Sequence, residues 1–283
     1  MYNIHMELYE LKNDIIYVYD KSQFNPKHIL ECGQVFRFGI DENNNYFVIS
    51  NKHKATIIEK PNHYEIVSNN PEYFVNYFDL NTDYSIIKNK LKTNPILAPM
   101  IEYGYGIRIL KADPEEMIFS FILSQNNNIK RIQKIVDTMC EIGEDCGDYK
   151  GFPTTETLHN QKMNYFKNLG AGYRDKFLKS VADTLYTIDL EEVKSYETDK
   201  LYNFLLLLNG VGPKVASCIL LFGFGRMDKF PVDTWLEQVY YNHFSKEPRN
   251  RAQIQEYFEN EFKENSGLAQ QYLFYYEREK TSK

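Results

Sequence analysis

Short β-branched and aromatic runs broken by turn formers dominate the first quarter of the chain. From Asp14 to about Ser68 they recur at Ile15-Ile16-Tyr17-Val18-Tyr19, Val35-Phe36-Arg37-Phe38, Tyr46-Phe47-Val48-Ile49, Thr56-Ile57-Ile58 and Tyr64-Glu65-Ile66-Val67. Segments such as Asp41-Glu42-Asn43-Asn44-Asn45 and Pro61-Asn62 separate them, so the pattern predicts an antiparallel sheet. After Pro71 the apolar spacing lengthens to that of helices. Asp113-Pro114-Glu115-Glu116 reads as a helix start, with Asp113 as N-cap and Pro114 at the first helical position. Further on, Ile129, Ile132, Ile135, Val136 and Met139 fall at helical spacing, which places Asn126-Asn127-Asn128 at the start of an amphipathic helix. Leu201 to Leu208 reads as a buried helix that Asn209-Gly210-Val211-Gly212-Pro213 must stop, and a second helix starts near Lys214. The expected class is α+β. An N-terminal antiparallel sheet domain with flanking helices spans residues 1–105, and a mostly helical body spans residues 106–283.

At 283 residues and 43 % hydrophobic content the chain is long enough to fill two compact cores. No apolar run approaches a membrane span, and Met1-Tyr2-Asn3-Ile4-His5 lacks the basic start and apolar stretch of an export signal. Cys32, Cys140, Cys146 and Cys218 are too scattered for a disulfide framework or a zinc knuckle. Free thiols in the cytoplasm of a bacterial or archaeal cell are expected. A net charge of −6 argues against a protein that coats nucleic acid nonspecifically, because such binding needs many lysines and arginines. It leaves room for one local site, since helix N-termini hold phosphates through backbone amides without formal charge.

The turn Gly210-Val211-Gly212 suits that role. Two glycines allow positive φ and leave no side chain in the way of a phosphate, while the next helix offers its unpaired N–H groups. The plainer alternative is a glycine-terminated helix joined to another. Lys214 opens the second helix with Cys218 one turn on, on the same face. Apolar neighbours and the positive helix end both disfavour an ammonium there, so a lowered pKa and a nucleophilic amine are expected, against the alternative of a solvated charge. Asp233, after Phe230-Pro231-Val232, precedes the helix Thr234-Trp235-Leu236-Glu237-Gln238-Val239, as an N-cap or as an N-cap with a second task.

Leu208-Asn209-Gly210-Val211-Gly212-Pro213-Lys214-Val215-Ala216 followed by Pro231-Val232-Asp233 resembles the helix-hairpin-helix signature of DNA glycosylases. More narrowly, the chain resembles the 8-oxoguanine DNA glycosylase/AP lyase family. Cys32-Gly33-Gln34-Val35-Phe36-Arg37-Phe38, Phe119 to Ile129 and Gly267 to Phe274 carry the narrower resemblance, which spans nearly the whole sequence. It implies a DNA-repair enzyme that flips 8-oxoguanine out of double-stranded DNA and excises it by Schiff-base chemistry, preferring cytosine opposite. Lys214 would be the nucleophile, and Asp233 would stabilise positive charge developing on the sugar. The Gly33 carbonyl would accept from the N7–H that guanine lacks, Cys218 and Phe274 would sandwich the base, and Gln270 would bind its pairing edge. Asn126 would fill the vacated gap, Arg131 and Arg174 would contact the orphaned cytosine, and Tyr173 would wedge beside it. Neither an organic cofactor nor a catalytic metal is expected, a monovalent cation on hairpin carbonyls is allowed, and the chain is expected to act as a monomer. Two residues depart from the family pattern: Trp235 where a phosphate-contacting histidine is usual, and Leu268 where Trp is common.

Other readings stand beside this one. A monofunctional alkylbase glycosylase uses aspartate and water and has no task for Lys214. An iron–sulfur glycosylase of the endonuclease III kind needs four C-terminal cysteines, and none follows Cys218. A noncatalytic helix-hairpin-helix module would explain Gly210 and Gly212 but leave Lys214, Asp233 and Gln270 without a shared purpose.

Overall fold

A computed structural model describes residues 8–281. Strands β1 (Tyr9–Lys12), β2 (Ile15–Val18), β3 (Phe38–Ile40), β4 (Tyr46–Ser50), β5 (His53–Glu59) and β6 (Tyr64–Ser68) form one sheet in the order β1-β2-β6-β5-β4-β3, with every neighbouring pair antiparallel. Helix α1 (Pro26–Leu30) joins β2 to β3. After the sheet come α2 (Pro71–Tyr77), α3 (Tyr84–Leu91), α4 (Leu97–Tyr103), α5 (Pro114–Ser124), α6 (Ile129–Cys140), α7 (Thr155–His159), α8 (Met163–Asn168) and α9 (Asp175–Tyr186). The chain ends with α10 (Leu190–Lys194), α11 (Thr198–Leu207), α12 (Pro213–Phe222), α13 (Thr234–Val239), α14 (Arg251–Phe262) and α15 (Ser266–Thr281). Among the described residues no helix is long and apolar enough to cross a membrane.

The sheet is built by period-two burial. Ile16, Val18, Val48, Ala55, Ile57, Tyr64 and Ile66 face inward, while Val67 faces out. Helix α2 closes the inner face across β2, β5 and β6 with Phe74, Val75 and Tyr77. Strand β1 lies before the region that the sequence pattern marked as sheet. The run Val35–Phe38 contributes only Phe38 to a strand, because Gln34 and Arg37 are buried and satisfy their side chains on carbonyls of other segments. A regular pleat would have turned one of these neighbours to each face.

In the helical part, Asp113 caps α5 through the Glu116 amide with Pro114 at the first helical position, and Asn128 caps α6 through the Arg131 amide. Helix α12 is buried from Val215 through Phe222 and packs between α5 and α11. Helix α15 lies against α4 and α13. The expectation of a buried helix over Leu201–Leu208 holds for one face only: Leu201 and Leu205 are buried in α11, whereas Leu207 is 83 % exposed.

Sheet and helices share a buried ionic node. Arg37 approaches the Glu116 carboxylate at 3.5 Å and donates to the carbonyls of Asn51 and Lys150, while the Asn51 N–H donates to Glu116 at 2.8 Å. Burial pushes the Glu116 carboxyl up to about 7 despite Arg37. Its unfolded-state value is lower, so between about 4.5 and 7 the folded state binds the extra proton and stability falls as pH rises. We expect Glu116→Gln to remove that slope. Thermal unfolding of the wild type from pH 5 to pH 8 should lose stability relative to the variant by about 3 kcal/mol, and parallel curves would refute the assignment.

Candidate active site

Two helix starts place the central pair. At Gly210 the chain takes φ +86°, and a Cβ there would lie 2.5 Å from the Phe177 ring, so glycine is required on both counts. Gly212, expected to share the positive φ, instead has φ −95° and is the N-cap of α12. Its value is openness: a Cβ there would meet nothing within 4 Å, and no side chain caps the helix. Pro213 occupies the first helical position, so the unpaired N–H groups of Lys214 and Val215 face outward at the positive helix end. Asp233 starts α13 and accepts from the Trp235 and Leu236 amides, both at 3.0 Å. Both sequence roles for Asp233 are therefore compatible, because capping fixes its carboxylate in place.

Lys214, Asp233, Gly33, Cys218, Gln270 and Phe274 line one cavity of about 40 Å³. They come from three distant parts of the sequence: the loop before β3, the α12–α13 region and α15. Phe121, Gln271 and Cys32 also line it, and these the residue-by-residue reading left without a role although all three lie inside the quoted motifs. Lys214 Nζ lies 5.7 Å from the centre of the Phe121 ring, which in turn stacks on Phe222 at 5.5 Å. Gln270 is buried and its Oε1 has no hydrogen-bond partner. A buried acceptor left unpaired signals a missing donor. The cavity is small, since admitting even benzene takes roughly 150 Å³. Phe274 is partly buried, with the Arg278 guanidinium 5.5 Å from its ring centre.

Electrostatics around the amine differ from expectation. Burial does disfavour the Lys214 ammonium, but negative charge at Cys218 and Asp233 outweighs it, and the pKa stands above the ordinary lysine value rather than below. Burial also pushes the Cys218 thiol up, with Lys214 opposing. Lys214 rests as an ammonium and must lose a proton before it can attack.

A second cluster lies beside the hairpin. Asn126 is exposed with φ +45°, in the left-handed region that non-glycine residues rarely adopt. Gln125 donates to the carbonyls of Ile122 at 3.0 Å and Gly210 at 2.9 Å, tying the Asn126 loop to the hairpin. Tyr173 is 57 % exposed. Arg131 is exposed and donates to the Gly170 carbonyl at 3.1 Å. Arg174, by contrast, is 3 % exposed and donates to the carbonyls of Ala171, Gln125 and Asn126, with its guanidinium over the Tyr173 ring. It is neither a solvated charge nor, in this conformation, an open reader of a base. Of the hairpin carbonyls, Leu208 accepts from the Val211 amide and Gly210 from Gln125, so a cation bound there would share them. Trp235 is partly buried at the second position of α13, and Leu268 is fully buried in the core.

Residues 16–118 match the family model of the 8-oxoguanine DNA glycosylase N-terminal domain, and residues 119–264 match that of the HhH-GPD superfamily of base excision DNA repair proteins. This chain belongs to the HhH-GPD superfamily and, within it, to the 8-oxoguanine glycosylase/lyase family. A crystal structure of Clostridium acetobutylicum 8-oxoguanine glycosylase/lyase, in complex with double-stranded DNA containing cytosine opposite 8-oxoguanine, superposes with a TM-score of 0.90 at 36 % identity, covering 98 % of this chain and 100 % of that one. The N-glycosylase/DNA lyase OGG1 of Arabidopsis thaliana is 31 % identical over 65 % of this chain, a match that spans 55 % of the plant protein's length. The N-glycosylase/DNA lyase of Saccharomyces cerevisiae is 29 % identical over 78 % of this chain and 68 % of its own.

The raised Lys214 pKa gives a direct test. Asp233→Asn keeps a capping side chain but removes the charge, so Lys214 should become reactive toward an acylating reagent at lower pH than in the wild type, as read by peptide mass mapping across a pH series. Asp233→Ala should do the same and also lose about 1 kcal/mol of stability through the missing cap. Unchanged labelling in the Asn variant would show that Asp233 does not hold the proton on Lys214.

Proposed function

We propose that this chain excises 8-oxoguanine from duplex DNA and then cleaves the strand at the resulting sugar, with Lys214 as the nucleophile. The observation that carries the reading is the single cavity that gathers Lys214, Asp233, Gly33, Cys218, Gln270 and Phe274 from three parts of the chain. After proton loss, the Lys214 amine attacks C1′ of the extruded nucleotide. The glycosidic electron pair leaves with the base, which takes up a proton, and the sugar ring opens to a Schiff base on Nζ. Loss of a C2′ proton then expels the 3′ phosphate. Asp233 stabilises the positive charge that develops on the sugar before the new C–N bond is complete.

Selectivity follows from one proton. The Gly33 carbonyl is an acceptor only, so it favours N7–H of 8-oxoguanine and repels the N7 lone pair of guanine. Gln270, with its buried and unpaired Oε1, meets donors on the pairing edge. The cavity of about 40 Å³ must open to receive the base, so recognition includes displacement of Phe274. On the opposite strand, Asn126 fills the gap, and Arg131 offers donors to cytosine O2 and N3, whereas the N–H groups of guanine and thymine would face a donor.

Borohydride should trap the wild-type protein on 8-oxoguanine DNA. Lys214→Gln should bind that DNA without forming the adduct, and trapping of the variant at the wild-type level would remove Lys214 from the mechanism. Opposite-base selection is tested by single-turnover excision on four duplexes that differ only in the base facing the lesion. We expect cytosine to be preferred at least about tenfold, since each donor left unpaired costs about 1–3 kcal/mol. Arg131→Ala should erase most of that preference, and Arg174→Ala should slow excision opposite all four bases by releasing the Asn126 loop. Equal wild-type rates on the four duplexes would refute orphan-base reading.

A further inference from the structure

Helix α15 presents two adjacent glutamines with different surroundings. Gln270 is turned toward the cavity with its Oε1 unpaired, while Gln271, 1 % exposed, donates to the carbonyl of Cys32 at 2.6 Å. Cys32 immediately precedes Gly33, so this bond fixes the Cys32–Gly33 peptide, one rotatable step before the carbonyl of Gly33. About two turns along the same helix, Arg278 donates to the carbonyl of Glu31. On the other side Gln34 donates to the carbonyls of Ile29 and Arg108 and accepts from the Leu110 amide. Gly33 between these anchors has φ +89°, and a Cβ there would sit 3.3 Å from both Phe274 and Arg278.

We propose that Gln271 is a specificity-determining positioning residue that aims the Gly33 carbonyl at the base. Its effect is exerted through Cys32, without contact between its amide and the reacting atoms. The proposal rests on the reading of Gly33 given above. A left-handed glycine held from one side only can rotate its peptide about neighbouring bonds, and rotation carries the carbonyl off the line to N7–H. With anchors on both sides that freedom is lost. The same helix then both lines the pocket, through Gln270 and Phe274, and sets the distance to the opposing loop, through Gln271 and Arg278. Structural support alone would make Gln271 matter equally to every substrate. Positioning makes it matter where a base is read.

Gln271→Met keeps the volume and removes the donor. Two ratios are read beside the thermal midpoint. In a Lys214→Gln background, the ratio of affinities for 8-oxoguanine:cytosine over guanine:cytosine duplexes should fall about tenfold, as expected when a contact is misplaced by a fraction of an ångström. In the active protein, the single-turnover rate for 8-oxoguanine excision should fall about tenfold relative to cleavage at a preformed abasic site, which has no base to read. Equal losses on both substrates, or an unchanged affinity ratio in the folded variant, would overturn the proposal. Absence of discrimination already in Lys214→Gln with native Gln271 would instead overturn the Gly33 reading, and the role of Gln271 with it.

Discussion

The structure turns on keeping one cation, Lys214, at the wrong end of a helix. At the start of α12 the amine meets the positive end of the helix dipole, and apolar cover from Phe121 and Phe222 removes most of its water. Asp233 offsets both penalties, and it is available because another helix needs it: its carboxylate caps α13. Each of these two groups is thus fixed by a helix start rather than by a flexible loop, and the separation of the two is set by how α12 and α13 pack. Gly210 contributes from below, since the Phe177 ring leaves no room for a side chain where the chain turns into α12. Displacing any of these would move the amine relative to the carboxylate before it changed the overall fold.

The same arrangement suits a confined cavity. An ammonium facing an open, water-filled cleft would be well solvated and its field screened, whereas a cavity of about 40 Å³ keeps the field of Asp233 effective. Phe274, half-buried, lines the same cavity. The raised pKa is opposite to the sequence expectation: the amine rests as an ammonium.

Sequence alone made the α+β division and the placement of Lys214 and Asp233 at helix starts legible, because helix caps, a Gly-x-Gly turn and short β runs are local signals. Gln270 and Phe274 were placed together because they lie four apart on one helix. The pKa direction was not legible, since it depends on how Cys218 and then Asp233 weigh against burial, and Asp233 comes beside Lys214 only in the folded chain. Nor was the irregular path of Val35–Arg37, which follows from the carbonyl partners that the Gln34 and Arg37 side chains find elsewhere in the fold. Gln271 and Gln125 were visible only as letters inside recognised motifs. Their roles are hydrogen bonds to backbone atoms of remote segments, and backbone acceptors leave no trace in residue identity.

Arg174 is where the sequence expectation and the fold part most clearly, and the difference is energetic. Its guanidinium already donates to the carbonyls of Ala171, Gln125 and Asn126, and it lies over the Tyr173 ring. Hydrogen bonds to a charged group contribute about 1.5–3 kcal/mol each, so leaving all these acceptors to reach a cytosine, which has two acceptors to give, is a losing exchange unless DNA also moves the loop. Asn126 supplies the means. It is held at φ +45°, a conformation that its own backbone resists, and the Arg174 bond to its carbonyl is one of the contacts that keep it there. Any shift of the Asn126 carbonyl would take that acceptor from Arg174. Arg174 is thus tied to the Asn126 loop, whereas Arg131 is exposed with a single backbone contact.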